Sequence, residues 1–463
     1  MRALFHEVNS LDQACYTNFH LTPDLLMEHA ANAVALYMQK YFSPKQKIFI
    51  MTGSGHNGAD GLALARLLCM DYDVHVFEYK QQKSELGQLQ KKRAQAVGVK
   101  FVDTLDISDI FVDAMFGTGL NRILDAHALG LITEINSISA IKIAVDMPSG
   151  ILSDGRCSED VFCADVTITM GALKSALYSD GAKDFTGEIK VANLGVNRKL
   201  YEAPTHMYVL EAEDMKLPSR KKSNTHKGSF GHACFISGEK EGASIMAGLA
   251  AHSFGSGLVT LIHEKDKLIP FELMQSQTIA QNCTALCAGM GLGTYSDVLH
   301  EKLKAFDGKV LLDADLFYEK KIKDLLDRDV VLTPHPREFC ALLKILEIID
   351  IDIKTLQEHR LKYVELFLSH YPQVTLLLKG AHVIIANKNN IYINPLGTSV
   401  LSKGGSGDVL CGLVTALLAQ GYESIDAAIS GSLAHTQAGN KVEKSSYAVT
   451  PRDLIERVGQ LEQ

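Results

Sequence analysis

The 463-residue chain has no tryptophan, only 7% aromatic residues, no low-complexity tract and no repeat of solenoid period. It also lacks a basic block longer than Arg220-Lys221-Lys222, and its net charge is −8, which argues against nucleic acid as the main partner. No uninterrupted apolar run reaches membrane-spanning length. At the amino terminus, Met1-Arg2-Ala3-Leu4-Phe5-His6-Glu7 brings in charge before a signal-peptide core can form. A cytoplasmic protein with no membrane partner is therefore expected. The nine cysteines are scattered, and the closest pairs, Cys283/Cys287 and Cys157/Cys163, lack the spacing and the histidine partners of a zinc site. Reduced thiols in a reducing compartment are the expected reading.

What is present is ordinary for a globular protein: 46% hydrophobic and 22% charged residues. The length suits two or three domains with cores of their own. Short β-rich runs alternate with longer helical patterns, which predicts an α/β architecture. In the first half, strands are expected at 47–51, 74–77, 110–114 and 141–146, with a helix over 61–70. Thr22-Pro23-Asp24 reads as the capped start of a helix running to Tyr41, with proline at its first position. In the second half, strands are expected at 232–237, 258–262, 310–313, 330–332, 374–378 and 382–386. The polar, basic stretch 211–227 separates the halves, and domains of 1–212 and 213–463 are expected.

The most informative segment is Gly404-Gly405-Ser406-Gly407-Asp408, which opens the apolar helical run 409–418. Glycines at a helix start let backbone N–H groups approach a phosphate, and the helix dipole favours the negative charge. An aspartate directly after such a nest would repel a resting anion. It fits a base that takes a proton from a hydroxyl attacking the phosphoryl group. The alternative is a tight turn with an acid in the first helical turn. Other polar motifs precede it: His226-Lys227-Gly228-Ser229-Phe230-Gly231, Ala288-Gly289-Met290-Gly291-Leu292-Gly293, Leu312-Asp313-Ala314-Asp315, Leu332-Thr333-Pro334-His335-Pro336-Arg337-Glu338 and Leu378-Lys379-Gly380-Ala381-His382-Val383. In a phosphoryl-transfer site, Lys379 would offset charge and Asp408 would be the base. Asp313 and Asp315 read equally as site residues or as caps of a following helix.

In the first half, three loops follow three expected strands: Gly53-Ser54-Gly55-His56-Asn57-Gly58-Ala59-Asp60-Gly61, Phe116-Gly117-Thr118-Gly119-Leu120 and Asp146-Met147-Pro148-Ser149-Gly150. Loops at the carboxyl ends of parallel strands line the ligand crevice, so their convergence counts for more than any single glycine loop. Gly53, Gly55 and Gly58 also match G-x-G-x-x-G, with Glu78 about 20 residues on, which leaves a dinucleotide-dependent dehydrogenase open. Asn57 and Asp60 speak against it, since they put side-chain oxygens where a dinucleotide loop favours small groups.

The three loops together resemble the YjeF N-terminal family of NAD(P)H-hydrate epimerases, across most of residues 1–212. The departures from that family's glycine loop are His56 and Ala59. The resemblance implies a Rossmann-like three-layer α/β/α domain with Asn57, Asp113 and Ser149 holding a potassium ion. Hard oxygen ligands from strand ends suit such a cation. It also implies that His56, Asn57, Gly58, Ala59 and Asp60, with Gly117, Thr118, Gly119, Leu120, Asn121, Arg122 and Ile123, line the hydrated-nicotinamide site. Asp146 would contact the substrate there as the acid/base.

The second-half motifs resemble the ribokinase-like superfamily, and most closely its ADP- or ATP-dependent NAD(P)H-hydrate dehydratase branch, over about 219–439. Arg337 stands where that branch commonly has glycine. This resemblance implies that Lys379, Gly380, Ala381, His382, Val383 and Gly407 contact the nucleotide, expected to be ADP. It further implies that Gly291, His335 and Asp408 face the hydrated nicotinamide, and that magnesium accompanies the diphosphate. Small-molecule substrates and a homo-oligomeric state are expected. The rival reading is a ribokinase-like small-molecule kinase fused to a non-catalytic dinucleotide-binding module.

Overall fold

In the computed structural model, the described residues are 1–265, 267–388 and 390–462. The chain forms two compact units, one of Ala3–Thr205 and one running from His206 onward together with Met1–Arg2. The change from one unit to the other comes somewhat before the division expected after residue 212. The reason is a short strand, Met207–Val209, which pairs in parallel with Asn390–Asn394 and so belongs to the second unit. Among the described residues, no helix is long and apolar enough to cross a membrane.

The amino-terminal unit contains β1 (Arg2–Phe5), β2 (Lys47–Thr52), β3 (Asp73–Glu78), β4 (Lys100–Val102), β5 (Ile110–Ala114), β6 (Ile141–Val145), β7 (Val166–Met170), β8 (Leu173–Lys174) and β9 (Glu188–Ala192). Seven of them make one parallel sheet in the order β4-β3-β2-β5-β6-β7-β9. Strand alternation sends side chains to two cores. Ile48 and Ile50 of β2 face one, with the helix Pro23–Tyr41, and Phe49 and Met51 face the other, with the helix Ala126–Ser137. The sheet is therefore a middle layer, as expected of a Rossmann-like domain. Chain order reverses between β2 and β5, and that switch point opens a crevice at the carboxyl ends of the strands.

The second unit continues with β10 (Met207–Val209), β11 (His232–Ile236), β12 (Leu258–Ile262), β13 (Met274–Ser276), β14 (Ala285–Ala288), β15 (Lys309–Leu312), β16 (Val330–Leu332), β17 (Thr375–Leu378), β18 (Val383–Asn387) and β19 (Asn390–Asn394). Their order is β13-β12-β11-β14-β15-β16-β17-β18-β19-β10, parallel up to β17 and antiparallel at β18 and β19. The switch point lies between β11 and β14. The helix Ser406–Ala419 is buried from Val409 onward and packs with the helices Glu241–Ser253 and Ser424–Lys441 on one sheet face. Phe339 and Phe367, from the helices Pro336–Ile345 and Arg360–His370, meet edge to face at 5.7 Å. The ribokinase-like three-layer arrangement is thus in place.

Several boundaries shift in ways that matter for chemistry. β6 stops at Val145 and β15 at Leu312, so Asp146 and Asp313 are the first residues beyond their strands. The helix expected from residue 61 starts at His56, because Gly55 serves as its N-cap and the glycines mask its early periodicity. Ala59 is an ordinary buried helical residue, and no left-handed backbone is needed where the related family has glycine. Gly289 is different: its φ is +118°, and a β-carbon would lie 1.8 Å from the Asp313 carbonyl oxygen. Gly289→Ala is expected to lower the stability of this unit by more than about 1 kcal/mol, read from the shift of its urea unfolding transition.

Candidate functional site

Each unit gathers its polar residues at the carboxyl edge of its own sheet. In the amino-terminal unit a cleft of about 390 Å³ is lined by His56, Asn57, Asp60, Gly117, Thr118, Gly119, Leu120 and Asp146 from the expected set. Val8, Asn9, Asp12 and Met170 also line it. Gly58 lies behind the lining, and a β-carbon there would sit 2.0 Å from the Gly53 carbonyl oxygen. Ala59 is fully buried, while Asn121, Arg122 and Ile123 are exposed beyond the cleft rim.

Asp146 adopts φ +70°, left-handed for a residue with a β-carbon, and this conformation aims its carboxylate inward. Oδ1 accepts from Lys174 Nζ at 2.7 Å and from the Met170 N–H at 3.2 Å, and Oδ2 accepts from the Thr118 N–H at 3.2 Å. Burial alone would raise its pKa, but the Lys174 charge and these donors outweigh burial and hold it below the ordinary carboxylate value. Lys174 is 1% exposed and also donates to Thr169 Oγ1 and the Met170 carbonyl. Asp60 shows the opposite balance: burial first, then the negative charges of Asp146 and Asp12, push its pKa well up.

The three expected potassium ligands are all buried, and two of them, Asp113 and Ser149, are bonded to each other. Asp113 Oδ2 accepts the Ser149 N–H at 2.6 Å, and Oδ1 accepts the Ser149 hydroxyl at 2.7 Å and the Met115 N–H at 3.1 Å. Burial lifts the Asp113 carboxyl to about 6 despite these donors. The Asn57 amide is 7% exposed, and neither of its polar atoms has a hydrogen-bond partner. A buried amide oxygen without a partner among the described residues, and an Asp113–Ser149 pair, are the kind of oxygen donors that suit a weakly charged cation.

In the second unit, Asp313 makes no side-chain cap to the 3-10 turn that follows it. It accepts instead from Lys379 Nζ at 2.9 Å and from the Thr333 hydroxyl at 2.7 Å. Asp315 does the structural work, accepting the Gly293 N–H at 2.9 Å and bracing the second glycine loop. Lys379 would lose its proton by burial alone, but Asp313 and Glu338 keep it charged. It reaches the nest: a β-carbon on Gly407 would sit 3.5 Å from Lys379 Nζ. Asp408, half-buried in the first turn of the helix Ser406–Ala419, is lifted to about 6 by burial and by Asp313, with Lys379 opposing. Gly405, at φ +89°, makes the turn into that helix. Ser406 shares a 3.0 Å hydrogen bond with His435, whose ring burial drives down to about 4.

His335 caps the helix Pro336–Ile345 in a reciprocal box with Glu338, and Glu338 is lifted to about 7 by burial. The shared electrostatics bring Lys379, Asp313, Glu338, His335 and Asp408 into one cluster. Gly291 lies on the neighbouring glycine loop, against Lys240. Gly380 and Ala381 are exposed in the β17–β18 turn, His382 is buried, and Val383 begins β18. A larger hollow of about 700 Å³ opens at the opposite, strand-start end, lined by Thr284, Lys309 and Arg328, and it holds none of these residues.

Sequence reasoning missed Lys174, Asp12, Glu338 and Arg360. Lys174 left one signal, a single charge within the otherwise uncharged stretch 166–178. Arg360 left none: it donates to the backbone carbonyls of Leu378, Lys379 and His382 from a helix about 20 residues away. Removing one member of the Lys174–Asp146 pair leaves a buried charge alone. Lys174→Met is therefore expected to destabilise the amino-terminal unit by roughly 3–5 kcal/mol, with much of the loss recovered in Lys174→Met/Asp146→Leu, both read by denaturant unfolding.

Comparison with known proteins follows the same two-part division. A family model for the YjeF-related protein N-terminus matches residues 23–176, and one for NAD(P)H-hydrate dehydratase matches residues 233–460. The bifunctional NAD(P)H-hydrate repair enzyme Nnr of Helicobacter pylori is 40% identical and aligns over 100% of both chains. That of Coxiella burnetii is 31% identical over 90% of each. A crystal structure of the ADP/ATP-dependent NAD(P)H-hydrate dehydratase of Bacillus subtilis, co-crystallised with ATP and magnesium, superposes with a TM-score of 0.44 at 23% identity, covering 53% of this chain and 92% of that one. With both halves matched in order and a relative similar from end to end, the chain belongs to the family of bifunctional NAD(P)H-hydrate repair enzymes.

Proposed function

We propose that the amino-terminal cleft interconverts the R and S epimers of hydrated NADH and NADPH, and that the Asp408 cluster dehydrates the S epimer at the expense of ADP. The observation that carries this reading is the pairing of two carboxylate clusters, each at the carboxyl edge of its own parallel sheet, in a chain of the repair family. Hydroxide is a poor leaving group, so the second site converts it to phosphate. Asp408 takes the proton of the C6 hydroxyl, and the oxygen attacks the terminal phosphorus of ADP, releasing AMP. The C6–O bond then breaks as phosphate departs, pushed by the N1 lone pair. Loss of a proton from C5 restores the reduced nicotinamide.

In this reading Gly407 and the nest N–H groups hold the transferring phosphoryl group. Lys379, still charged, offsets its growing negative charge, and the turn from Gly380 to Val383 lies against the nucleotide. His335 and Gly291 face the nicotinamide. Magnesium accompanies the diphosphate, held chiefly by phosphate oxygens. In the first site Asn57, Asp113 and Ser149 would hold potassium, which would supply fixed positive charge near the substrate.

The test is a time course on an equilibrium mixture of R and S NADH hydrate with ADP and magnesium, following recovery of reduced-nicotinamide absorbance. The full chain is expected to run to completion. Asp146→Ala should give a burst from the S epimer followed by a slow phase at the spontaneous epimerisation rate. A mutant as fast as wild type on the R epimer would remove Asp146 from the site. Asp408→Ala should abolish ADP-dependent dehydration, and retained turnover would sink the phosphoryl-transfer mechanism. Because the base must be ionised, kcat/KM for dehydration should rise with pH through about 6.

A further inference from the structure

Three aspartates, Asp12, Asp60 and Asp146, line the amino-terminal cleft, and the last two have opposite surroundings. Asp146 Oδ1 is held by Lys174 Nζ and the Met170 N–H, Oδ2 accepts the Thr118 N–H, and these donors keep the carboxylate charged. Asp60, one turn into the helix His56–Leu68, is only 9% exposed, and among the described residues its carboxyl has no hydrogen-bond partner. It nevertheless lines the cleft. A lone carboxylate so placed would be expensive to ionise. The groups around it settle its state. Asp146 approaches from the end of β6, and Asp12 and Tyr16 come from the helix Asn9–Asn18, with Asp12 already accepting from the Tyr201 hydroxyl at 2.7 Å. Among the described residues the cation that acts on Asp60 is Lys174 on β8, and it is bonded to Asp146. His56, at the start of the same helix, also lines the cleft. Burial and these negative neighbours therefore favour the protonated carboxyl at Asp60, and its place in the cleft lining puts that proton within the space a ligand would fill.

We infer that Asp60 is the general acid of the epimerase site, delivering its proton to the C6 hydroxyl of the hydrated nicotinamide, while Asp146 stands as a fixed anion against the cation that forms. The inference rests on the epimerase reading of this cleft. Asp60 O–H protonates the hydroxyl oxygen, the C6–O bond breaks, and water leaves with that electron pair. The N1 lone pair forms N1=C6, and the ring becomes a planar cation without configuration at C6. Water adds back to either face, its oxygen bonds to C6, and its extra proton returns to Asp60. Every atom is restored, nothing is oxidised or reduced, and only the configuration has changed. Asp146 suits the supporting role because Lys174 and the backbone donors keep it charged and lower its basicity, so it stabilises the cation and is a weak base toward C5. Two carboxyls pushed to opposite protonation states divide the work of acid and anion.

The test uses the full chain with purified R-NADH hydrate in ¹⁸O-water and no ADP, separating the epimers by chromatography and reading ¹⁸O at C6 by mass spectrometry. Wild type is expected to incorporate ¹⁸O in step with epimerisation, and its rate should fall as pH rises through the elevated Asp60 pKa. Asp60→Asn matches the shape of the neutral acid but has no proton to give. Its kcat should fall roughly 10²- to 10⁴-fold with KM within a few-fold, and the alkaline fall should vanish from the residual rate. Asp60→Glu should restore part of kcat. Circular dichroism and thermal unfolding verify that both variants are folded. Wild-type kcat in Asp60→Asn, or epimerisation without ¹⁸O entry, would overturn the assignment. Failure of the wild type to speed R-to-S conversion, while it still dehydrates the S epimer, would overturn the epimerase reading itself and this assignment with it.

Discussion

The chemistry of each unit depends on one buried lysine–aspartate pair at the carboxyl edge of a parallel sheet. Lys174 holds Asp146 at 2.7 Å in the first unit, and Lys379 holds Asp313 at 2.9 Å in the second. Such pairs contribute little net stability, because desolvation offsets their attraction. Their value is positional. Each fixes a charge where water cannot screen it, and each thereby sets the protonation of a second aspartate nearby. Burial and the anion of Asp146 push the Asp60 pKa well up, and burial and Asp313 lift Asp408 to about 6. In the proposed mechanism the pair is the frame, and the second carboxyl does the proton transfer.

The sheets explain why these pairs can form. All the strands that carry site loops run parallel, so their carboxyl ends come to one edge, and the reversal of chain order parts the loops there. β6 and β15 end one residue before Asp146 and Asp313, which frees those side chains from the alternation of the strand. Glycine supplies the close approaches. At Gly53 a β-carbon would lie 1.9 Å from the Met115 carbonyl oxygen, so the β2 and β5 loops touch backbone to backbone. The same holds for Gly289 against Asp313.

Much of this was legible in the sequence. The strands 110–114, 258–262 and 330–332 appear at the expected bounds, because each is a short apolar run with clear punctuation. The glycine motifs marked the loops because close backbone approach leaves no other residue type available. Strands β14 and β10 were missed: Ala285–Ala288 is too short and too weak in β-branched residues, and Met207–Val209 is three residues long. The paired acids of Leu312-Asp313-Ala314-Asp315 were indistinguishable as letters. Only the fold separates Asp313, which faces Lys379, from Asp315, which braces Gly293. The Lys174 and Arg360 contacts were beyond sequence reasoning because they join residues 18 to 28 positions apart through tertiary packing.

Both units act on the same C6 hydroxyl, and they treat it in opposite ways. An acid is needed where the oxygen must leave as water and return, and a base where it must attack phosphorus. Aspartate serves both because its surroundings, more than its own chemistry, decide whether it holds a proton. Asp60 is nine-tenths buried among negative neighbours, and Lys174, which acts on it, is already paired. Asp408 is only half-buried, and the charge of Lys379 at the nest offsets part of the repulsion from Asp313. That difference in exposure and in cation reach leaves Asp408 able to ionise near neutral pH and shifts Asp60 toward its protonated form. The same constraint keeps the reactions apart. A strong base beside the cation proposed for the first site would draw off the C5 proton without nucleotide, and the Lys174 charge and backbone donors weaken Asp146 as such a base.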